Sequence, residues 1–333
     1  MVFGVRHPRD LSPEALAKGE SGDPVAEDAK SLLTFGFSGS RARVSADTLH
    51  GMTAKDTLRR AVLTLQAAKI ETASIDARLL LQEALGVSRE GLLMAMEKPM
   101  TAAQAQKFDA MIARRLAREP VSKILEKREF YSLKLKVTRD TLDPRPDSET
   151  LVECVLAALP EREKPYRMLD LGTGTGCLSL ALLKALPRAS VVAVDCSDAA
   201  LAVAAENALQ LGLAGRAAFC QSNWFESVSG VFDVIVSNPP YIPSREVDQL
   251  AADVVNYDPR LALDGGADGL DAYRILLAGA GTRLAAGGVL AMEIGAGQHA
   301  QVALMGEKAG FGEPQMFKDL AGIIRCLLWK TNQ

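Results

Sequence analysis

From Thr53 onward the apolar positions fall into a helical rhythm. Leu58, Val62 and Leu65 recur at i, i+4 and i+7, which predicts one amphipathic helix. "SIDARLLLQEALG" continues it, with Ser74 as its expected N-cap and Gly86 as its stop. "AAQAQKFDAMIARRLA" predicts a third helix that buries Phe108, Met111, Ile112 and Leu116. Residues 52–127 therefore read as a small all-α domain, too polar for catalysis and suited to recognition or docking. The rhythm then switches to two in "YSLKLKV", where Tyr131, Leu133, Leu135 and Val137 share a face, as in one arm of a linking β-hairpin within 128–146. "DPRPDSE" breaks the chain with two prolines and offers Asp147 or Ser148 as a cap for the helix "TLVECVLAAL".

After Pro165 short apolar runs alternate with helical stretches. The expected strands are "RMLDLG", "SVVAVD", "RAAFCQS", "FDVIVSN" and "GGVLAMEIG". Between them lie "CLSLALLKAL", "SDAALAVAAENALQLG" and "DAYRILLAGAGTRL". This order predicts an α/β domain over 147–333, a mostly parallel sheet with helices on both faces. Such sheets bind ligands beyond the carboxyl ends of their strands, at the switch point. Residues 1–51 mix charge, Gly, Ser and Pro without period, which predicts a largely disordered extension, with Met52 as an alternative start.

Composition narrows the function. With 48% hydrophobic and 24% charged residues the chain is ordinary globular material, and its net charge of −3 and pI near 5.8 argue against a dedicated nucleic-acid binder. No apolar run reaches membrane-spanning length and no signal peptide opens the chain, so the cytoplasm is the expected location. The five cysteines form no C-x-x-C pair and the three histidines are scattered, which predicts free thiols and no metal site.

"LDLGTGTG" joins the first strand of this domain to its helix. Gly172, Gly174 and Gly176 clear the backbone for a ligand, although a tight strand-to-helix turn would need them too. Asp195 ends the next strand, 23 positions after Gly172, where a carboxylate can take both ribose hydroxyls of an adenosine. Its bland alternative is the N-cap of "SDAALAVA", which Ser197 could equally provide. The loop reads G-x-G-x-G after Asp170 rather than G-x-G-x-x-G. A pyrophosphate prefers a bare helix N-terminus, whereas an acid beside the loop suits a cationic amino group. S-adenosylmethionine therefore fits better than NAD. Trp224, in the "QSNWF" loop, is either an adenine-stacking ring or a core aromatic.

"SNPPYIP" follows the strand "FDVIV". Proline pushes the residue before it into extended geometry and itself lacks an N–H. Asn238 is thus held extended, and its side-chain oxygen and the Pro239 carbonyl can each accept one hydrogen of a planar NH2 group. Pro240 stiffens the turn and Tyr241 can lie against the group's flat face. Acceptors set for a pyramidal nitrogen would aim its lone pair at a methyl carbon. The bland alternative is a proline-stiffened loop with a packing tyrosine.

"DLGTGTG", "VVAVD", "SNWF" and "SNPPYIP", with "DPRPDSE" upstream, closely resemble the protein-(glutamine-N5) methyltransferases, best the PrmC/HemK family acting on release factors. "IDARLLL", "REPVSKILEKREFYSL", "NYDPRLALDGGADGLDAYR", "MEIGAGQ" and "KDLAGIIR" extend the likeness from about Leu58 to Arg325. The resemblance implies a seven-stranded class I S-adenosylmethionine-dependent methyltransferase domain, an N-terminal helical domain and a hairpin between them. It implies methylation of the side-chain amide of the glutamine in the GGQ motif of class I peptide chain release factors, without nucleic acid or membrane. It also implies that Gly172, Thr173, Gly174, Thr175, Gly176, Asp195, Trp224 and Asn238 contact S-adenosylmethionine, and that Asn238, Pro239, Pro240 and Tyr241 hold the glutamine. Three positions depart from the family pattern: Asn223 for a common aspartate, Glu126 for a usual glycine, and Asp143 for an apolar residue. The alternatives are a glutamine methyltransferase of ribosomal protein L3, a nucleic-acid adenine N6-methyltransferase and a non-catalytic binding protein on this fold.

Overall fold

The computed structural model describes residues 52–331, so the expected extension at 1–51 lies outside the described residues. These residues form two compact units that divide between Leu125 and Glu126.

The first unit is helical. Its helices are α1 (Ala54–Ala67), α2 (Ala73–Leu85), α3 (Arg89–Ala95), α4 (Ala102–Leu116) and α5 (Val121–Leu125). Thr53 caps α1 by accepting the Asp56 N–H, and Thr101 with Gln104 forms a reciprocal capping box on α4. Helix α2 begins one residue before Ser74, with Thr72 at the N-cap position, because the Thr72 hydroxyl is drawn to Asp76 Oδ2 at 2.7 Å. Gly86 closes α2 in the left-handed conformation, as expected. Helices α3 and α5 are too short to register as a period. Leu65, Leu80, Leu81 and Phe108 are fully buried at the centre, with Leu116 half-buried at the margin. The same core holds an ion pair: Arg115 Nε meets Asp76 Oδ2 at 2.7 Å, with both side chains only 9% exposed.

The second unit opens on a hairpin of β1 (Lys127–Phe130) and β2 (Leu133–Lys136). Tyr131 is not in a strand, contrary to the period-two reading. It and Ser132 carry φ of 49° and 60°, as a two-residue mirror-image turn demands. Glu149 and Glu153 hold it there, accepting from the Tyr131 N–H at 2.8 Å and from its hydroxyl at 2.6 Å. Glu126, the departure from a usual glycine, also sits left-handed at φ 52°, which is the physical reason a glycine suits that position.

A seven-stranded sheet follows, in the order β5 (Ala217–Gln221), β4 (Ser190–Asp195), β3 (Arg167–Leu171), β6 (Phe232–Ser237), β7 (Leu284–Glu293), β9 (Ile324–Lys330), β8 (Gln315–Lys318). β9 alone runs against the direction of the other six strands. The five strands read from the pattern are all present, while β8 is largely exposed and β9 too short an apolar run to type from its period. Helices α6 (Glu149–Ala158), α7 (Cys177–Ala185) and α8 (Asp198–Gln210) cover one face, and α11 (Asp271–Ala280) and α12 (His299–Lys308) the other. Short α9 (Ser244–Val247) and α10 (Ala252–Val255) lie between β6 and α11. Successive residues feed opposite layers: Met168, Val234 and Val236 pack on one face, Leu169 and Ile235 on the other. That is why these strands read as continuous apolar runs. The fold is that of a class I methyltransferase, with a helical N-terminal region.

Removing one partner of the buried pair in the helical unit leaves a charge without compensation. Asp76→Ala should lower stability by about 3 to 5 kcal/mol, read from denaturant unfolding of the full chain; a loss below about 1 kcal/mol would mean that Arg115 finds water or another acceptor.

Candidate active site

The sheet changes direction at β3, with β4 on one side and β6 on the other, so the loops leaving β3 and β6 diverge over a crevice. Gly172, Gly174 and Gly176 take φ of 75°, 56° and 79°, a succession only glycine adopts cheaply. The Gly172 and Thr173 N–H groups both donate to the Val194 carbonyl at 2.9 Å, which binds the loop to the end of β4. Asp195, the residue after Val194, accepts the Gly174 N–H at 2.9 Å and the Ser197 N–H at 3.0 Å. The cap of α8 is Ser197, whose hydroxyl accepts the Ala200 N–H, so Asp195 is not needed as a cap. Its carboxylate retains unused lone pairs at the cavity wall.

Asp170, Thr173 and Thr175 lie beneath the loop rather than on its surface, all three buried. The Thr173 hydroxyl donates to Asp170 Oδ2 at 2.7 Å, while Asp170 Oδ1 has no hydrogen-bond partner among the described residues. Burial pushes the Asp170 carboxyl up to about 6, against the opposing bonds from Thr173 and Ser179. Asn207 of α8 is fully buried, and its place in the amphipathic pattern gave no sign of a role at the loop. It donates to the Thr175 carbonyl at 2.9 Å and fastens the loop from behind.

Asn238 begins the turn after β6. The Ser237 hydroxyl donates to the Leu171 carbonyl at 2.6 Å, and the ladder pairs Asp170 with Val236, so the two loops are held side by side. Pro239 is buried and Pro240 half-buried. The backbone beyond is clasped by "DGGADGL", a stretch whose function the residue pattern did not disclose. Gly265 N–H donates to Ile242 O, and Ser244 N–H to Gly266 O, each at 2.8 Å. Gln298 completes the clasp by donating to the Tyr241 carbonyl at 2.9 Å. Burial, with the nearby Glu293 charge, pushes the Tyr241 phenol up to about 12, so it stays protonated through neutral pH.

These elements enclose a cavity of about 700 Å³, a size proper to a ligand pocket. Gly172, Gly174, Asp195, Trp224, Asn238 and Pro240 line it. Asp170, Thr173, Thr175, Gly176, Pro239 and Tyr241 do not form its wall; they shape the loops that do. Trp224, half-buried with φ 53°, lies over the glycine loop, its ring 3.8 Å from where a Gly172 side chain would start. It touches the core beneath and lines the cavity above. Asn223 shares this wall, its amide donating to Glu226 at 2.7 Å. Asp143, the other departure from the family pattern, is buried with its N–H donating to Asp258 and its carboxylate 3.7 Å from Arg128. Acceptors at Asp195 and a flat ring at Trp224 on the wall, with the Asp170 carboxylate buried beneath the loop, suit a ligand with vicinal hydroxyls, an aromatic base and a cationic group. The residues present therefore fit S-adenosylmethionine.

Residues 56–125 match the family described as PrmC N-terminal domain, and residues 140–313 that described as Methyltransferase small domain. A protein of Rhodospirillum rubrum named release factor glutamine methyltransferase is 49% identical over 81% of this chain and 83% of its own length. One of the same name from Cereibacter sphaeroides is 46% identical over 81% of this chain and 96% of its own. Among solved structures, the hMettl16 catalytic domain in complex with a MAT2A 3′UTR hairpin superposes with a TM-score of 0.53 at 16% identity, over 67% of this chain and 82% of that one. That likeness is one of fold.

A side-chain carbon on Gly265 would stand 2.8 Å from the Pro240 carbonyl oxygen and from Tyr241 Cα, both backbone atoms that cannot swing aside. Gly265→Ala should therefore destabilise the chain by about 1 to 3 kcal/mol. Gly215→Ala, into open space, is the control; equal unfolding midpoints for the two variants would deny the clasp.

Proposed function

The chain belongs to the family of release factor glutamine methyltransferases, and we propose that its cavity binds S-adenosylmethionine and its Asn238 turn receives the GGQ glutamine of a class I peptide chain release factor. The reaction is methylation of the glutamine side-chain amide nitrogen, N5, in support of translation termination. The observation that carries this reading is the convergence of the glycine loop, Asp195, Trp224 and Asn238 on one cavity.

The cofactor, when bound, supplies a methyl group on a sulfonium as electrophile. Asp195 would take the ribose hydroxyls, Trp224 would offer its face to the adenine, and Asp170, buried beneath the loop, would favour the cationic amino group through its charge. An amide nitrogen is a weak nucleophile because its lone pair is delocalised. Asn238 Oδ1 and the Pro239 carbonyl each accept one N–H of the target, favouring the pyramidal nitrogen whose lone pair points at the methyl carbon. Tyr241, off the cavity wall and a neutral phenol, supports the turn and abstracts no proton. Loss of the methyl would leave the sulfur as a neutral thioether, and the proton shed by the nitrogen would pass to water.

The helical region 52–127 serves as the recognition module and 128–146 as the link to the methyltransferase domain over 147–333. No helix among the described residues is long and apolar enough to cross a membrane, and the reading requires only a cytoplasmic encounter with the release factor.

Incubation with a cognate release factor and S-adenosylmethionine should add a single methyl to the GGQ glutamine, seen by intact-peptide mass spectrometry. Ribosomal protein L3 in a parallel tube should stay unmodified; methyl on L3 alone would keep the chemistry and replace the substrate. Asn238→Ala should cut turnover on the order of a hundredfold, and a wild-type rate in that variant would remove Asn238 from the reaction. Asp195→Ala should instead weaken cofactor binding measured by calorimetry.

A further inference from the structure

Two buried side chains beside the reacting turn play no part in the mechanism above. Ser148 occupies the N-cap position of α6, yet its hydroxyl makes no cap bond and accepts the Asn238 Nδ2–H at 3.1 Å, with the serine 2% exposed. Glu293 ends β7 beside Ser237 and Asn238, also 2% exposed, and none of the ion pairs among the described residues includes it. Its Oε2 has no hydrogen-bond partner there, and the Ser148 hydroxyl and the Asn238 amide are among the neighbours that favour its charged form. Arg325, the cation that acts on it, is committed to Asp319 at 2.9 Å and Asp147 at 3.3 Å. A carboxylate so buried and so poorly compensated is costly, and the fold gains nothing evident from it.

Its chemistry suggests what it does. An amide can point either end at the cavity, and only one end serves the reaction. An ionised carboxylate is an acceptor only, so Ser148 must donate to Glu293. The serine oxygen can then only accept, and the amide must turn its NH2 group inward to supply the hydrogen. That leaves Asn238 Oδ1 facing the target nitrogen. We propose that Glu293, acting through Ser148, is the positioning residue that fixes the Asn238 amide with its oxygen toward the glutamine. The inference rests on the function proposed above and deepens it.

Protonation of Glu293 reverses the relay. Its carboxyl O–H donates to Ser148, the serine hydroxyl is freed to donate to Asn238 Oδ1, and the amide turns a donor toward a donor. Burial pushes the Glu293 carboxyl up to about 7, with Ser148, Arg325 and Asn238 opposing and Asp147 reinforcing. The other groups around it do not titrate there. Tyr241 from the β6 turn and Cys177 at the start of α7 are both pushed up to about 12, and Tyr273 of α11 and Cys326 of β9 are raised as well. Asp170, at about 6, belongs to the cofactor loop and acts on cofactor affinity rather than on the rate at saturation.

The test compares wild type, Glu293→Gln, Ser148→Ala and Ser148→Thr by kcat on the release factor at saturating S-adenosylmethionine, from about pH 6 to about pH 9. Wild-type kcat should fall with acid through a single ionisation near neutrality. E293Q should lose that limb, because nothing at the end of the relay titrates. S148A should lose it too and run roughly tenfold slower, the size of one lost hydrogen bond at a preorganised acceptor, while S148T, which returns the hydroxyl, restores the limb. Calorimetric S-adenosylmethionine binding by each variant guards against misfolding; if E293Q fails it, the serine pair decides. An acid limb that persists in S148A overturns the inference while leaving the function standing. A wild-type protein that methylates no GGQ glutamine overturns both.

Discussion

The parallel pairing of β3 with β6 is the contact from which the site descends. Met168, Leu169 and Asp170 lie opposite Val234, Ile235 and Val236, and the Ser237 hydroxyl seals the end of the ladder on the Leu171 carbonyl. These strands lie far apart in sequence and come together only because β4 and β5 are placed to the other side of β3. A parallel ladder leaves the carboxyl ends of both strands at the same edge. The glycine loop and the Asn-Pro-Pro-Tyr turn must then emerge as neighbours. Everything else reinforces this: Asn207 behind the glycine loop, Gly265 and Gln298 behind the turn.

At that edge the protein buries two carboxyls, Asp170 and Glu293, each with one oxygen lacking a partner among the described residues. Both hold a proton more tightly than their ordinary values of 3.8 and 4.5. The sign of the linkage follows: the stability they contribute is present below those values and is lost as pH rises through about 6 for Asp170 and about 7 for Glu293. At neutral pH the folded protein therefore carries destabilising negative charge buried behind the loops that line its cavity. A cationic ligand offsets that charge, so ligand binding and ionisation favour one another.

Much of the architecture was legible because it depends on local rules. The strands around Leu169, Val192 and Ile235 are apolar on both faces, as a sheet covered by helices requires. The left-handed loop conformation is written in three glycines. The failures are equally physical. Ser74 lost the cap position because Thr72 was claimed by Asp76, and Tyr131 left its strand because a mirror-image turn took it. Strands β8 and β9 lacked a period of their own, since the antiparallel edge is specified by what it packs against.

The sequence by itself determined the class of the protein, its glycine loop and its Asn-Pro-Pro-Tyr turn. It could do so because glycine and proline restrict or release the backbone wherever they occur, and strand patterning depends only on which faces are buried. The tertiary structure alone decided which of those residues reach the cavity. It placed Gly172, Gly174 and Pro240 on the wall, with Thr173, Thr175 and Pro239 beneath it. It also brought Ser148 and Glu293 to Asn238 from 90 residues before it and from the neighbouring strand. An acid at the end of the apolar run "VLAMEIG" was the only hint of Glu293 in the sequence. Its meaning depends on burial and on the partner across the strand, and a linear pattern records neither.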